Sequence, residues 1–215
     1  MPPIVSIIGK SNSGKTGLIE KLVQELKSRG YRVATIKHTR QNLTFDEPGK
    51  DSWRHIQAGS DATMISGSDK LMLIKPVAPD ISLEEIARLL GEDYDIILTE
   101  GFKQGDAPKI EVHRKEVGPP FATVKKLIAI ATDEPIETKR RQFPLDDIKG
   151  LADLLEQGFI KPQSERVLLY VNNAPISLSI FPRDIISNIV TAIASSLKGV
   201  KEIKSVQIFL KKKSS

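Results

Sequence analysis

Along the first 160 residues, short β-branched runs alternate with stretches in which apolar residues return every three or four positions. Ile4-Val5-Ser6-Ile7-Ile8 stops at Gly9 and predicts a strand. Lys15 to Arg29 predicts a helix with Leu18, Leu22 and Leu26 on one face, and Gly30 is placed as the glycine that closes it. Arg32 to Lys37 follows as a second strand, so the chain opens with a βαβ unit, and therefore with parallel strands covered by helices. The polar stretch from His38 to Lys50 reads as a loop, of a length uncommon without a task, that leads into a short helix from Asp51 to Ala58.

Ala62 to Ser66 and Leu71 to Lys75, on either side of Gly67-Ser68-Asp69, predict an antiparallel hairpin at one side of a sheet that is then mixed. Leu71 to Ile74 are consecutive and apolar, so one alternate set is expected to face the core and the other solvent or a partner. Ser82, with Glu85 three residues on, has the signature of a capping box at the start of a helix that runs to Leu90. Asp95 to Thr99 reads as a buried strand that delivers Glu100 at its end, and Lys109 to His113 and Leu127 to Ala131 predict two more strands. Asp147 to Gly158 is helical in pattern, and Lys161 to Glu165 reads as a linker. Beyond it come a strand from Val167 to Val171, a turn at Asn172-Asn173, a strand from Ile176 to Ile180, a helix from Pro182 to Leu197 and a strand from Ser205 to Leu210. The expected organisation is an α/β domain over residues 1–160, with a mostly parallel sheet, antiparallel additions and helices on both faces. A small C-terminal α/β appendage follows over 166–215.

The link between the first strand and the first helix carries the chemistry. Gly9-Lys10-Ser11-Asn12-Ser13-Gly14-Lys15-Thr16 fits G-x-x-x-x-G-K-[ST] in the strand–helix setting that this phosphate-binding loop requires, and it makes the fold class a P-loop NTPase. The glycines let successive N–H groups turn inward toward phosphate oxygens, and the positive end of the helix adds to the attraction. Lys15 is expected to meet the β- and γ-phosphates, and Thr16 to offer its hydroxyl to Mg²⁺. Glu100, at the end of Ile96-Ile97-Leu98-Thr99, sits where such proteins keep the carboxylate that supports the metal, although a carboxylate there also serves to cap a turn. No N-K-x-D or T-K-x-D segment is present, since Thr138-Lys139-Arg140-Arg141 lacks the aspartate, and the motifs do not name the base. Asp133 is placed to accept from a purine's exocyclic amine and serves equally well as a plain turn residue.

Composition narrows the classes. With no cysteine in 215 residues, disulfides, thiolate metal sites and a Cys nucleophile are excluded. No apolar run approaches the roughly 20 residues needed to cross a bilayer, and Met1-Pro2-Pro3 leads straight into a strand, so a cytoplasmic protein with no membrane partner is expected. The net charge of +5 suits an anionic ligand, but basic and acidic residues are interspersed, and no nucleic-acid partner is expected. Lys211-Lys212-Lys213 reads as a solvated tail.

Several segments together resemble the MobB family of molybdopterin-guanine dinucleotide biosynthesis proteins: the loop Gly9 to Thr16, Thr35-Ile36-Lys37-His38, Asp46 with Pro48-Gly49-Lys50-Asp51-Ser52, Ala58-Gly59, and Thr99-Glu100-Gly101-Phe102-Lys103 followed by Pro108-Lys109. The match spans roughly Ile4 to Gly158 and stops short of the appendage. The resemblance implies a homodimeric protein that binds GTP, hydrolyses it slowly with Mg²⁺, and works beside a MobA-like guanylyltransferase to attach GMP to molybdopterin. Lys37, His38, Lys50 and Lys103 fall at strand ends or in loops that can face a polyanion. Asp46 and Asp51 are placed to hold a metal-bound water or to position the attacking one, with a helix N-cap as the other reading of Asp51. Trp53, His55 and His113 read as packing or surface residues. A small-molecule kinase of the same fold and a scaffold without turnover are the competing readings.

Overall fold

The computed structural model describes residues 1–39, 46–163, 167–172, 174–203 and 205–210. The chain divides into two compact units, Met1–Ser164 and Glu165–Ser215. Lys211 to Lys213, Asn173 and part of the His38 to Lys50 loop lie outside the described residues.

In the first unit, β1 (Ile4–Ile8), α1 (Lys15–Ser28) and β2 (Val33–Lys37) form the opening βαβ unit. After them come α2 (Asp51–Gln57), the hairpin strands β3 (Thr63–Ser66) and β4 (Leu71–Ile74), and α3 (Leu83–Leu90). The unit is completed by β5 (Ile96–Glu100), β6 (Lys109–His113), β7 (Leu127–Thr132), β8 (Arg141–Pro144) and α4 (Ile148–Leu155). Six strands make one sheet in the order β2-β5-β1-β6-β7-β8, and every pairing in it is parallel. The strand order therefore reverses at β1, and the crevice beyond its C-terminal end, where α/β sheets bind ligands, falls at Gly9.

Each face of the sheet has its own apolar layer. Leu18, Leu22 and Leu26 of α1 pack with Leu151 and Leu155 of α4 over Val5, Ile7 and Leu98. On the other face Leu83 and Ala87 of α3 cover Ile4, Ala34, Ile36 and Ile97. Helix α3 starts as its sequence requires: Glu85 N–H donates to Ser82 Oγ at 3.2 Å and Ser82 N–H donates to Glu85 Oε2 at 3.0 Å.

Two expectations need correction. The hairpin forms, with Met64 opposite Leu73, but it stands as a two-stranded sheet of its own, so the main sheet is purely parallel rather than mixed. Neither hairpin face has a core to meet, and Met64, Ile65, Leu71, Met72 and Leu73 are all exposed, not one alternate set. The reason is that a period of two specifies a strand but not the edge it joins. β8, conversely, went unread: Arg141-Gln142-Phe143-Pro144 buries only Phe143, and its charge and proline suit the sheet edge it occupies.

In the second unit, β9 (Leu169–Val171) and β10 (Ala174–Ile176) pair antiparallel, and α5 (Ile180–Ser195) follows. The second strand ends where it was expected to begin, and α5 starts two residues early. Ser205–Leu210 belongs to no ladder, because alternation makes a strand only where an edge accepts it. Among the described residues no helix is long and apolar enough to cross a membrane.

Arg29, at the end of α1, donates to Glu25 at 2.8 Å, Asp153 at 2.6 Å and Glu156 at 2.7 Å, and Tyr31 Oη and Lys161 Nζ also donate to Glu156. Arg29 first, then Lys161 and Tyr31, hold the Glu156 carboxyl down to about 2. A depressed carboxylate contributes stability above its unfolded pKa, near 4.5, and loses it as pH falls toward 2. Glu156→Gln is therefore expected to lower the melting temperature at pH 7, with the gap to the parent closing between about pH 4.5 and 2. Calorimetric scans across that range check this, and a gap that does not vary with pH contradicts it.

Candidate functional site

The loop that closes β1 is shaped for an anion. Gly9 has φ +154°, Asn12 φ +62° and Gly14 φ +96°, and alternation of this kind turns successive N–H groups to one side. At Gly9 a Cβ would lie 2.5 Å from the Val112 carbonyl oxygen and 2.6 Å from Ser13 Oγ, so only glycine fits. Helix α1 begins at Lys15 without a side-chain cap, which leaves its first N–H groups directed into the loop. Ser13 Oγ is buried with no hydrogen-bond partner among the described residues, and it adds a free hydroxyl to the cradle. Lys15 Nζ donates to the Lys10 carbonyl at 2.7 Å, which folds its ammonium back across the loop.

Beside the loop, β5 places Glu100 opposite Ile7 of β1. Thr16 Oγ1 donates to Glu100 Oε2 at 2.9 Å, and Lys37 Nζ, from the end of β2, lies 3.5 Å from the same oxygen. Three residues from separate elements thus meet at one corner. A cavity of about 450 Å³ opens there between α1 and β2, lined by Thr16, Glu20, Gln24, Thr35, Lys37 and Glu100. The hydroxyl and carboxylate are hard oxygen donors of the kind Mg²⁺ takes. Among the described residues no cluster of three or more His, Cys, Asp or Glu could hold a metal. A two-residue set fits Mg²⁺, which keeps waters and takes phosphate oxygens, and does not fit a metal caged by protein alone.

The other expected site residues lie elsewhere. Asp46 accepts from Ser52 Oγ at 2.8 Å, which ties the loop to the start of α2. Asp51 is the first residue of α2 and pairs with Arg54 at 3.6 Å, so Lys50, whose side chain makes no capping bond and pairs with Glu47 at 3.7 Å, is the N-cap. Lys103 Nζ sits 3.4 Å from the centre of the Phe121 ring, a cation–π contact. His38 stacks at 4.8 Å on Phe102. Asp133 Oδ1 accepts from Lys115 N–H at 2.9 Å, so one of its oxygens is already engaged. Lys109 is a buried strut: its Nζ donates to Gly105 and Ala107 carbonyls, and burial pushes its pKa down. His113 is buried and bonded to Glu134 at 3.0 Å, a packing role as expected.

Sequence reasoning missed two residues. Arg114 Nε donates to the Ser13 carbonyl at 3.1 Å, and its NH1 lies 3.9 Å from Asp133 Oδ2, so one guanidinium joins the phosphate loop to the turn after β7. Its signal was its place, one residue past a parallel strand next to the loop-bearing one. Glu111 is buried in β6 opposite Ile8. Burial pushes its carboxyl up against the Phe121 N–H bond, His113, Lys103 and Lys10, which pull it down.

Comparison with known proteins places this geometry. The family described as MobB, molybdopterin guanine dinucleotide synthesis protein B, matches residues 4–133. The molybdopterin-guanine dinucleotide biosynthesis adapter protein of Haemophilus influenzae is 37% identical over 156 residues, 72% of this chain and 88% of that protein. That of Escherichia coli K12 is 34% identical over 167 residues, 75% of this chain and 95% of that protein. The crystal structure of Bacillus subtilis MobB superposes with a TM-score of 0.56 at 27% identity, covering 73% of this chain and 98% of that one. Relatives spanned nearly end to end leave about a quarter of this chain unmatched, so it carries length that they lack. With the phosphate loop, its carboxylate partner and five of the six parallel strands inside residues 4–133, the chain belongs to the MobB family.

Proposed function

We propose that this chain is a GTP-binding adapter of molybdopterin-guanine dinucleotide biosynthesis, which helps a MobA-like guanylyltransferase attach GMP to molybdopterin in the cytoplasm. The observation that carries the reading is the Thr16–Glu100 hydrogen bond behind an anion-shaped loop. Lys15 would leave the Lys10 carbonyl for the β- and γ-phosphates, a charged acceptor in place of a neutral one. Thr16 and Glu100 would hold Mg²⁺, whose charge would offset that of the phosphates. Lys37 balances Glu100 from the side of the cavity. Hydrolysis is expected to be slow, because among the described residues Glu100 is the one carboxylate hydrogen-bonded to Lys15 or Thr16.

Glu100→Gln tests the metal assignment, since it keeps the shape and the acceptor oxygen but deletes the charge. The Mg²⁺ dependence of GTP affinity is expected to weaken about tenfold or more, with Mg²⁺-free binding little changed. Overlapping metal titrations of parent and variant would reduce Glu100 to a turn residue.

The adapter is further proposed to be a homodimer joined near β3–β4. Five apolar side chains of that hairpin are about half exposed, and covering what remains of each is worth roughly 1–1.5 kcal/mol, about half of a full burial. Its outer edges also leave ladder groups free for a second copy. Light scattering of the full chain is expected to report twice the chain mass at micromolar concentration, and a monomer contradicts this joint.

A further inference from the structure

Arg114 stands at the rim of the phosphate loop with the edges of its guanidinium already engaged. Its Nε donates to the Ser13 carbonyl at 3.1 Å, and NH1 lies 3.9 Å from Asp133 Oδ2. From the point where a Cβ of Gly14 would stand, Nε is 3.4 Å, NH2 3.5 Å and Cζ 3.9 Å away. The carbon lies behind the two nitrogens, so the guanidinium meets the loop edge-on and not by its face. A phosphate pairs with such a fork through its edge, and this edge already rests on the loop. The charge is also partly offset by Asp133. What remains is the flat, delocalised surface of a side chain that is 38% exposed, and that surface suits stacking on an aromatic ring. Among the described residues no ring of the chain stacks on it.

The plane is fixed from both sides in sequence. His113, the residue before, is bonded to Glu134 at 3.0 Å, and the N–H of Lys115, the residue after, donates to Asp133 Oδ1 at 2.9 Å. Three consecutive residues at the end of β6 are thus tied to the turn after β7, and a group held in place before its ligand arrives loses little freedom on binding. The run of the nucleotide brings its base here. Thr16, Glu100 and Lys37 place the metal corner on the β5 and β2 side of β1, and a metal held there bridges the β- and γ-phosphates. With that end of the triphosphate fixed, the nucleoside leaves the loop on the other side, over the ends of β6 and β7, where Arg114 stands. We propose that Arg114 is the platform on which the purine base of the bound nucleotide stacks, with Ser13 and Asp133 setting its plane. This rests on the GTP-binding reading above, and adds a seat for the base to a chain whose sequence has no N-K-x-D segment.

Inorganic tripolyphosphate carries the phosphates without the base, so the ratio of GTP to tripolyphosphate affinity isolates the contact. In calorimetric titrations of the full chain with Mg²⁺ present, the parent is expected to bind GTP the more tightly. Arg114→Ala is expected to lower GTP affinity about tenfold or more, while tripolyphosphate affinity changes by less than about threefold. Arg114→Lys keeps the charge and loses the plane, so it is expected to lower the ratio as Arg114→Ala does, and it carries the test if the alanine variant folds poorly. Equal losses for the two ligands in Arg114→Ala would make the guanidinium a support of the loop or a partner of the phosphates, and would overturn the proposal. Unchanged GTP affinity in Arg114→Ala, or a parent-like ratio in Arg114→Lys, would overturn it as well. A parent that binds the two ligands equally leaves the phosphate loop standing and removes the base seat, whereas a parent that binds neither removes both.

Discussion

Lys15→Ala is expected to lower the affinity for GTP about a hundredfold or more while leaving the fold intact. Among the described residues the Lys15 ammonium is held by one neutral acceptor, the Lys10 carbonyl, so its loss costs the free protein little. Charged hydrogen bonds to phosphate are worth roughly 1.5–3 kcal/mol each, and this cation can make more than one, which sets the size of the loss. Fluorescence titration with a labelled GTP, alongside thermal melts of both proteins, separates binding from folding. An affinity within twofold of the parent in a folded variant removes the phosphate-loop assignment.

Gly9→Ala is expected to damage the fold itself. Its Cβ would press on a backbone oxygen of β6 at 2.5 Å and on the buried Ser13 hydroxyl at 2.6 Å, at a backbone angle that alanine disfavours. Ser13 can rotate, but the Val112 carbonyl is tied into the strand that flanks β1. Overpacking of this kind costs roughly 1–3 kcal/mol, and the shift it forces falls on the loop that shapes the phosphate site. Urea denaturation should show a lower midpoint together with weakened GTP binding. An unchanged midpoint would mean that the loop relaxes freely and that its shape is not held by packing.

Legibility in the sequence followed how local each feature is. The phosphate loop is eight consecutive residues between a strand and a helix, and the capping box from Ser82 to Glu85 is four residues long, so both were readable and both formed. Glu100 was readable because the end of a strand fixes which edge of a parallel sheet it reaches. Arg114 follows the end of β6 by the same rule, but that β6 lies beside β1 is a pairing no local pattern encodes, and Glu111 depends on that same register. The same gap explains the hairpin. Its two strands and turn are local, whereas its separation from the main sheet depends on which edge accepts it, and Ser205–Leu210 failed as a strand for the same reason.

The central claim, a triphosphate site that uses the loop and a metal corner, is tested most directly by calorimetric titration of the full chain with GTP and with guanosine, each with and without Mg²⁺. The account predicts one saturable GTP site per chain that weakens when Mg²⁺ is withdrawn, and guanosine binding weaker by about two orders of magnitude or more, since the recognised groups are phosphates. Equal affinity for guanosine and GTP, or no saturable GTP binding with Mg²⁺ present, would contradict it.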